Sequence, residues 1–470
     1  MTVTPPFGAA SRDQWVALAL KSAGIGDLRE LTTRTLDGIA IEPLYSGGDA
    51  PDPVPISGFP TSPPAIRPLV AAPTPAAASA AIRDEIAGGA SEILLQIEAP
   101  GMAGVRVRRA SDFERIFKGT DLGGLAIHLR HASRGRTHHA GHLRALYDSR
   151  GTPADGRRGG FGFDPLGAAA SGALAMRSGS SEREVRRGAA LVLAGIGGVP
   201  AYGAFRASGV PYHEAGASEA QELAALLATA TAYLRACDGC GVAPEHAAPR
   251  IELELAADCD VFLTIAKLRA ARLVWARLGE ECGFASAARL AAQTSARMTC
   301  ASDPESNIVR AGLAALAAGV GGADAITVLA FTHPLGPPDA GARRIARHTG
   351  LILALEARIG EVADAAAGAW ALECLTDALC RAAWDRFTAI EAQGGMSEAL
   401  RSGSLRGEIA RSRAALAREI AEGRRVLVGR RRQVAQRTIP PSPGPWREPP
   451  PATRSIPPLR PVRLEAEVQR

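Results

Sequence analysis

The sequence predicts an α/β fold: a (β/α)8 barrel with an extended N-terminal arm and a helical, proline-rich C-terminal tail. Short apolar strand patterns alternate with helical ones from about residue 76, at intervals of roughly 30 to 45 residues, the spacing that βα units of a parallel sheet require. No strand pattern runs into the tight G-x-G-x-x-G turn of a doubly wound dinucleotide-binding sheet, which favours the closed barrel over the open one. With 470 residues, 46% hydrophobic and only 4% aromatic, the chain has ample aliphatic material for one large core plus extensions.

Residues 1–75 read as an arm. A helical piece around Trp15–Leu20 precedes TRTLDGIAIEPLY, Thr33–Tyr45, in which Asp37-Gly38 is a turn, Ile39 and Ile41 alternate as a short strand, and Pro43 ends it. Pro51, Pro53, Pro55, Pro60, Pro63 and Pro64 then forbid regular helix and favour an extended strap. The strip Leu36, Ile39, Ile41, Leu44 and Tyr45 is costly to leave in water and is expected to bury against a second subunit.

Residues 76–395 are assigned to the barrel. Its strands are expected at Glu92–Ile97, Gly124–Leu129, Gly160–Phe163, Ala201–Phe205, Ile251–Leu255, Arg289–Gln293 and Ala325–Leu329, with the eighth between Ile352 and Asp364. Helix starts are marked by Ser181 with Glu184 and by Ser218 with Gln221, the spacing of a capping box, and by Asp303 before Pro304. Residues 396–437 read as a charged helical segment and 438–470 as a proline-rich linker.

The net charge of +6 is small for this length and no basic patch is interleaved with aromatics, so nucleic-acid binding is not expected. Seven scattered cysteines, no basic-then-apolar leader and no apolar run of bilayer length predict reduced thiols and a soluble, cytoplasmic protein with no membrane contact. Several motifs read as structure. Cys237-Asp-Gly-Cys240 sits at a helix end without a second pair, His138, His139 and His142 lack further ligands, and Gly319, Gly321 and Gly322 lie between helix and strand as a tight turn, so no metal site is assigned.

The stretches Thr33–Tyr45 and Asp303–Phe331, the latter with AGVGGAD, resemble the methylmalonyl-CoA mutase family, and the resemblance runs from the arm to about Leu427. It is weakest over Ala71–Ala170, where catalytic chains carry substrate-tunnel residues. It implies a barrel whose arm wraps a partner, and adenosylcobalamin-dependent interconversion of methylmalonyl-CoA and succinyl-CoA. In SGVPYHEAGA, Ser208–Ala217, Val210 and Pro211 stand where catalytic chains of the family carry Tyr-His, and neither can stabilise charge on a thioester oxygen. Ala291 stands where such chains carry a further histidine. No Asp-x-His-x-x-Gly cobalt-ligand run is present. GASEAQELA, AADCDVFLTIAKLRAARLVWARL and TSARMT resemble the family's small, non-catalytic subunit.

The resemblance therefore implies a chain without catalytic residues and without its own C-terminal cobalamin domain, paired as a heterodimer with a catalytic mutase chain that brings adenosylcobalamin and the acyl-CoA. Arg206, Tyr212, His213 and Gln293 fall near strand C-termini, where barrel sites form, and are the candidate substrate-binding residues. Alternatives are a catalytic acyl-CoA mutase subunit that borrows cobalamin from a separate protein, and a non-enzymatic assembly protein on the same barrel.

Overall fold

The computed structural model describes residues 11–132, 139–174, 180–193, 202–429 and 457–467. Its centre is a parallel sheet that closes on itself. Strand β1 consists of two short pieces, Ala65–Ile66 and Leu69–Val70, interrupted at Arg67-Pro68, where Pro68 cannot donate to a ladder. β2 to β8 are Glu92–Gln96, Ala126–Arg130, Arg158–Phe163, Tyr202–Ser208, Ile251–Ala257, Arg289–Thr294 and Ala325–Thr327. Each pairs in parallel with the next. The first piece of β1 pairs with β8 and the second with β2, so the sheet has no free edge, as a (β/α)8 barrel requires.

The seven strands expected from about residue 92 onward all form. The remaining strand is not between Ile352 and Asp364, which holds a π-helical turn, Ile352–Glu356, followed by turns. It is β1, inside the stretch assigned to the arm; two-residue pieces around a proline leave no periodic signal to read. The capping box of Ser218 and Gln221 forms and opens the helix Glu219–Asp238. Asp303 and Pro304 instead lie in the turn before the helix Ser306–Val320, whose N-cap is Glu305. The expected long C-terminal helix is two, Met396–Ser402 and Ser404–Ala421, parted at Gly403 in the left-handed region with φ +78°. The side chains of Ser181 and Glu184, residue Ala201, His138, and residues 430–456 and 468–470 of the tail lie outside the described residues.

The arm docks on its own chain. Thr33–Arg34 and Ala40–Ile41 pair antiparallel around Asp37-Gly38, as the dipeptide predicts. The Asp37 carboxylate then accepts from Ser218 Oγ at 2.5 Å and Ala220 N at 3.0 Å, at the N-terminus of Glu219–Asp238, where backbone donors are otherwise unpaired. Ile39 and Ile41 pack on the main core, and Leu36 on Leu416, Ile420 and Leu464. The apolar strip is thus half-buried within the chain, not held open for a partner. The helix Arg12–Ala23 is different: none of its residues is buried, and Leu18 is 63% exposed.

Behind the barrel, the helix Val261–Cys282 anchors the segment after the last strand. Arg269 reaches Asp364 and Glu373 through paired bonds at 2.9 to 3.2 Å, and Arg272 donates to the Gly58, Ala288 and Gly322 carbonyls. No helix among the described residues is long and apolar enough to cross a membrane.

Candidate functional site

Residues alternate along a strand, so the charged positions of β2, β3, β6 and β7 that recur every second residue turn to one side, and here that side is the barrel axis. The floor of the axis is one ion cluster. Arg67 Nε stands 2.5 Å from Glu92 and its Nη2 2.9 Å from Glu252, while His128 lies 3.4 Å from Glu92 and 3.7 Å from Glu252. Burial by itself would raise both carboxyls; Arg67, with help from His128, outweighs it and holds them below the ordinary range.

One layer up, Glu254 gathers three partners: Arg130 Nη2 at 2.5 Å, Ser208 Oγ at 2.7 Å and Arg206 Nε at 3.4 Å. Arg130 Nη1 also donates to Gln293 Oε1 at 2.8 Å. Burial works against the Glu254 carboxylate, but Arg130 and Arg206 keep its pKa at about 2. Asp164, where burial dominates, is pushed up to about 6 although Arg206 and Tyr233 pull the other way. Near the floor, a cavity of about 10 Å3 among Gly160, Gly203 and Arg289 has room for about one water.

A second buried cluster lies behind the C-terminal ends of β5 to β7. His213 Nδ1 is 3.1 Å from Glu222 Oε2, and its Nε2 is 3.0 Å from Ser295 Oγ and 3.4 Å from Asp258. Lys267 Nζ, fully buried, donates to the same Glu222 oxygen at 2.6 Å, and Ala256 N donates to the other at 2.7 Å. Ser295, His213 and Glu222 have the order of a nucleophile triad, but the chemistry does not follow. Burial and the neighbouring Arg297 and Lys267 oppose a charge on His213, yet Glu222 and Asp258 prevail and its pKa is raised. A sealed imidazole with both nitrogens engaged and its protonated form favoured is poorly suited to act as a general base. Ser295 Oγ also accepts from Arg297 N at 3.1 Å, and all three side chains are sealed from solvent.

The four candidate residues therefore divide. Arg206 and Gln293 belong to the axis network, His213 to the cluster behind it, and Tyr212 is fully buried, its hydroxyl pKa raised by desolvation. They do not converge on a common opening. Val210 is buried at the start of the short helix Val210–Glu214, and Ala291 shares a strand face with Gln293 two residues on. The residues that the sequence reading passed over are the larger part of the site: Arg67, Glu92, His128, Arg130, Glu252, Glu254, and behind them Glu222, Asp258 and Lys267. IELELAAD carried the signal, since Glu252 and Glu254 interrupt an apolar strand at period two.

These residues do not fit a cobalamin ligand. No Asp-x-His-x-x-Gly run exists, and His213, the histidine that does have an aspartate beside it, is engaged on both nitrogens inside the core.

Comparison with known proteins follows the same direction. The profile described as methylmalonyl-CoA mutase matches residues 96–443. The protein named methylmalonyl-CoA mutase small subunit from Streptomyces virginiae is 38% identical over 456 residues, covering 91% of this chain and 71% of that one. The small subunit from Propionibacterium freudenreichii subsp. shermanii is 46% identical over 193 residues, 40% of this chain and 30% of its own. A methylmalonyl-CoA mutase from Escherichia coli (strain K12) is 32% identical over 237 residues, 50% of this chain and 33% of its own.

Proposed function

The chain belongs to the methylmalonyl-CoA mutase family, and we propose that within this isomerase family it serves as the small subunit, a barrel that pairs with a catalytic chain and does not itself carry out the rearrangement. The observation that carries the reading is the filled axis. Two layers of buried ion pairs occupy the space through which an acyl-CoA would have to reach the strand ends, and prising them apart would strand buried charges. The same filling weighs against a catalytic subunit that borrows its cofactor. The interconverted substrates are methylmalonyl-CoA and succinyl-CoA, the adenosylcobalamin belongs to the catalytic partner, and the complex is cytoplasmic.

The exposed helix Arg12–Ala23 supports pairing, since it carries Trp15, Val16, Leu18 and Leu20 and its own chain buries none of them fully. Deleting residues 1–26 is expected to weaken capture of the catalytic mutase chain by about tenfold or more, the loss of about 1.4 kcal/mol of contact, while leaving the melting temperature unchanged. Co-expression and pull-down measure it. Undiminished capture by the shortened chain would contradict the role of this helix, and failure of the intact chain to capture any catalytic mutase chain would contradict the subunit reading itself.

A further inference from the structure

The C-terminal face of a (β/α)8 barrel is where the loops that do chemistry stand. In this chain residues 457–467 lie against it. Leu459 N donates to Ala170 O at 2.8 Å, in the segment after β4, and Val462 N to Glu214 O at 2.7 Å, after β5. Leu464 N donates to Arg297 O at 3.1 Å, after β7, and Arg463 Nη1 to Pro334 O at 3.2 Å, after β8. Taken in ring order, β4, β5, β7 and then β8 through the Arg463 side chain, these ties carry the segment along about half of the rim of the mouth.

The side chains between these bonds are inserted. Leu459, Val462 and Leu464 are only 7%, 5% and 5% exposed, and Leu464 packs on Leu416 and Ile420. The Glu465 carboxylate accepts from the backbone of Ala301 at 2.7 Å and Ser302 at 3.2 Å and from the Ser302 hydroxyl. Backbone pairing at the loops after β4, β5 and β7, three apolar anchors and one carboxylate held by amides make a recognition site for an extended peptide.

We propose that this part of the rim of the barrel mouth is a docking groove for an extended peptide, filled by the chain's own residues 457–467. The groove does not depend on the non-catalytic reading above, so the two stand or fall separately.

The test is a titration of a fluorescent peptide with the sequence of residues 457–467 into two full-length proteins, the unaltered chain and the variant Val462→Asp/Leu464→Asp, which unseats its own segment. The variant is expected to bind the peptide at about micromolar concentration and the unaltered chain about tenfold or more weakly, its groove being filled; a peptide with the same two aspartates binds neither. Equal affinity for both proteins, or no binding to a variant with unchanged circular dichroism, overturns the proposal. Hydrogen exchange on the unaltered chain gives an answer even if the variant misfolds. The amides of Leu459, Val462, Leu464, Ala301 and Ser302 should exchange slowly as a group, and exchange at free-peptide rates would overturn it.

Discussion

Replacing Glu222 by Gln is expected to lower the unfolding free energy by about 3–5 kcal/mol, the range for breaking a buried pair and leaving one charge uncompensated. The side chain keeps its shape, so the loss is electrostatic. Among the described residues Glu222 is the sole carboxylate within bonding distance of the sealed Lys267 ammonium, and it also holds His213 and the Ala256 amide. Burial opposes its charge, but Lys267 and then His213 bring its pKa to about 2, below the unfolded value of about 4.3. The stabilisation it supplies is therefore complete above that unfolded value and is lost as pH falls towards 2. Denaturant titration at pH 7 measures the loss. The double variant Glu222→Leu/Lys267→Met, which removes both charges, should recover much of it; a double variant as unstable as the single one would place the damage in packing.

Arg67→Met is expected to cost a similar 3–5 kcal/mol at neutral pH, for the opposite sign of charge. It leaves Glu92 and Glu252 facing each other at the barrel floor with His128 between them. In the parent both carboxyls are depressed, so their contribution is present above the unfolded carboxylate pKa and lost as pH falls through the folded values. Without the guanidinium, desolvation and mutual repulsion raise them instead, and the variant should gain stability as pH is lowered from 7.5 to 5.5. Urea midpoints at the two pH values decide it. A variant whose midpoint changes with pH as the parent's does would show that Arg67 does not govern the floor.

The barrel was legible in the sequence because seven of its strands are short, largely apolar patterns at βα spacing. Its first strand was not, because Ala65–Val70 is broken by Arg67-Pro68 into pieces that only the closing of the ring pairs. The Asp37-Gly38 hairpin was legible from its turn residues. What it rests on was not: the carboxylate of Asp37 meets a helix start more than 180 residues away, and no local pattern encodes that meeting. The site divides in the same manner. Val210, Pro211 and Ala291 told what is missing, since a resemblance marks substituted positions one at a time. What fills the axis is a set of long-range pairs among several strands, and period-two charges in IELELAAD and AIHLR announced buried polar positions without announcing their partners. His213 stood out in sequence as a candidate substrate-binding residue near a strand end; in space it is sealed in the core between two carboxylates.

On the proposed reading, the filled axis closes this barrel to the substrate of its own family. Calorimetric titration of the isolated full-length chain with methylmalonyl-CoA, with and without adenosylcobalamin, measures that directly. The predicted result is no saturable heat in either case and no succinyl-CoA formed. Saturable binding that Arg130→Ala or Arg206→Ala abolishes in a still-folded chain would mean that the axis admits the ligand, and would contradict the non-catalytic reading.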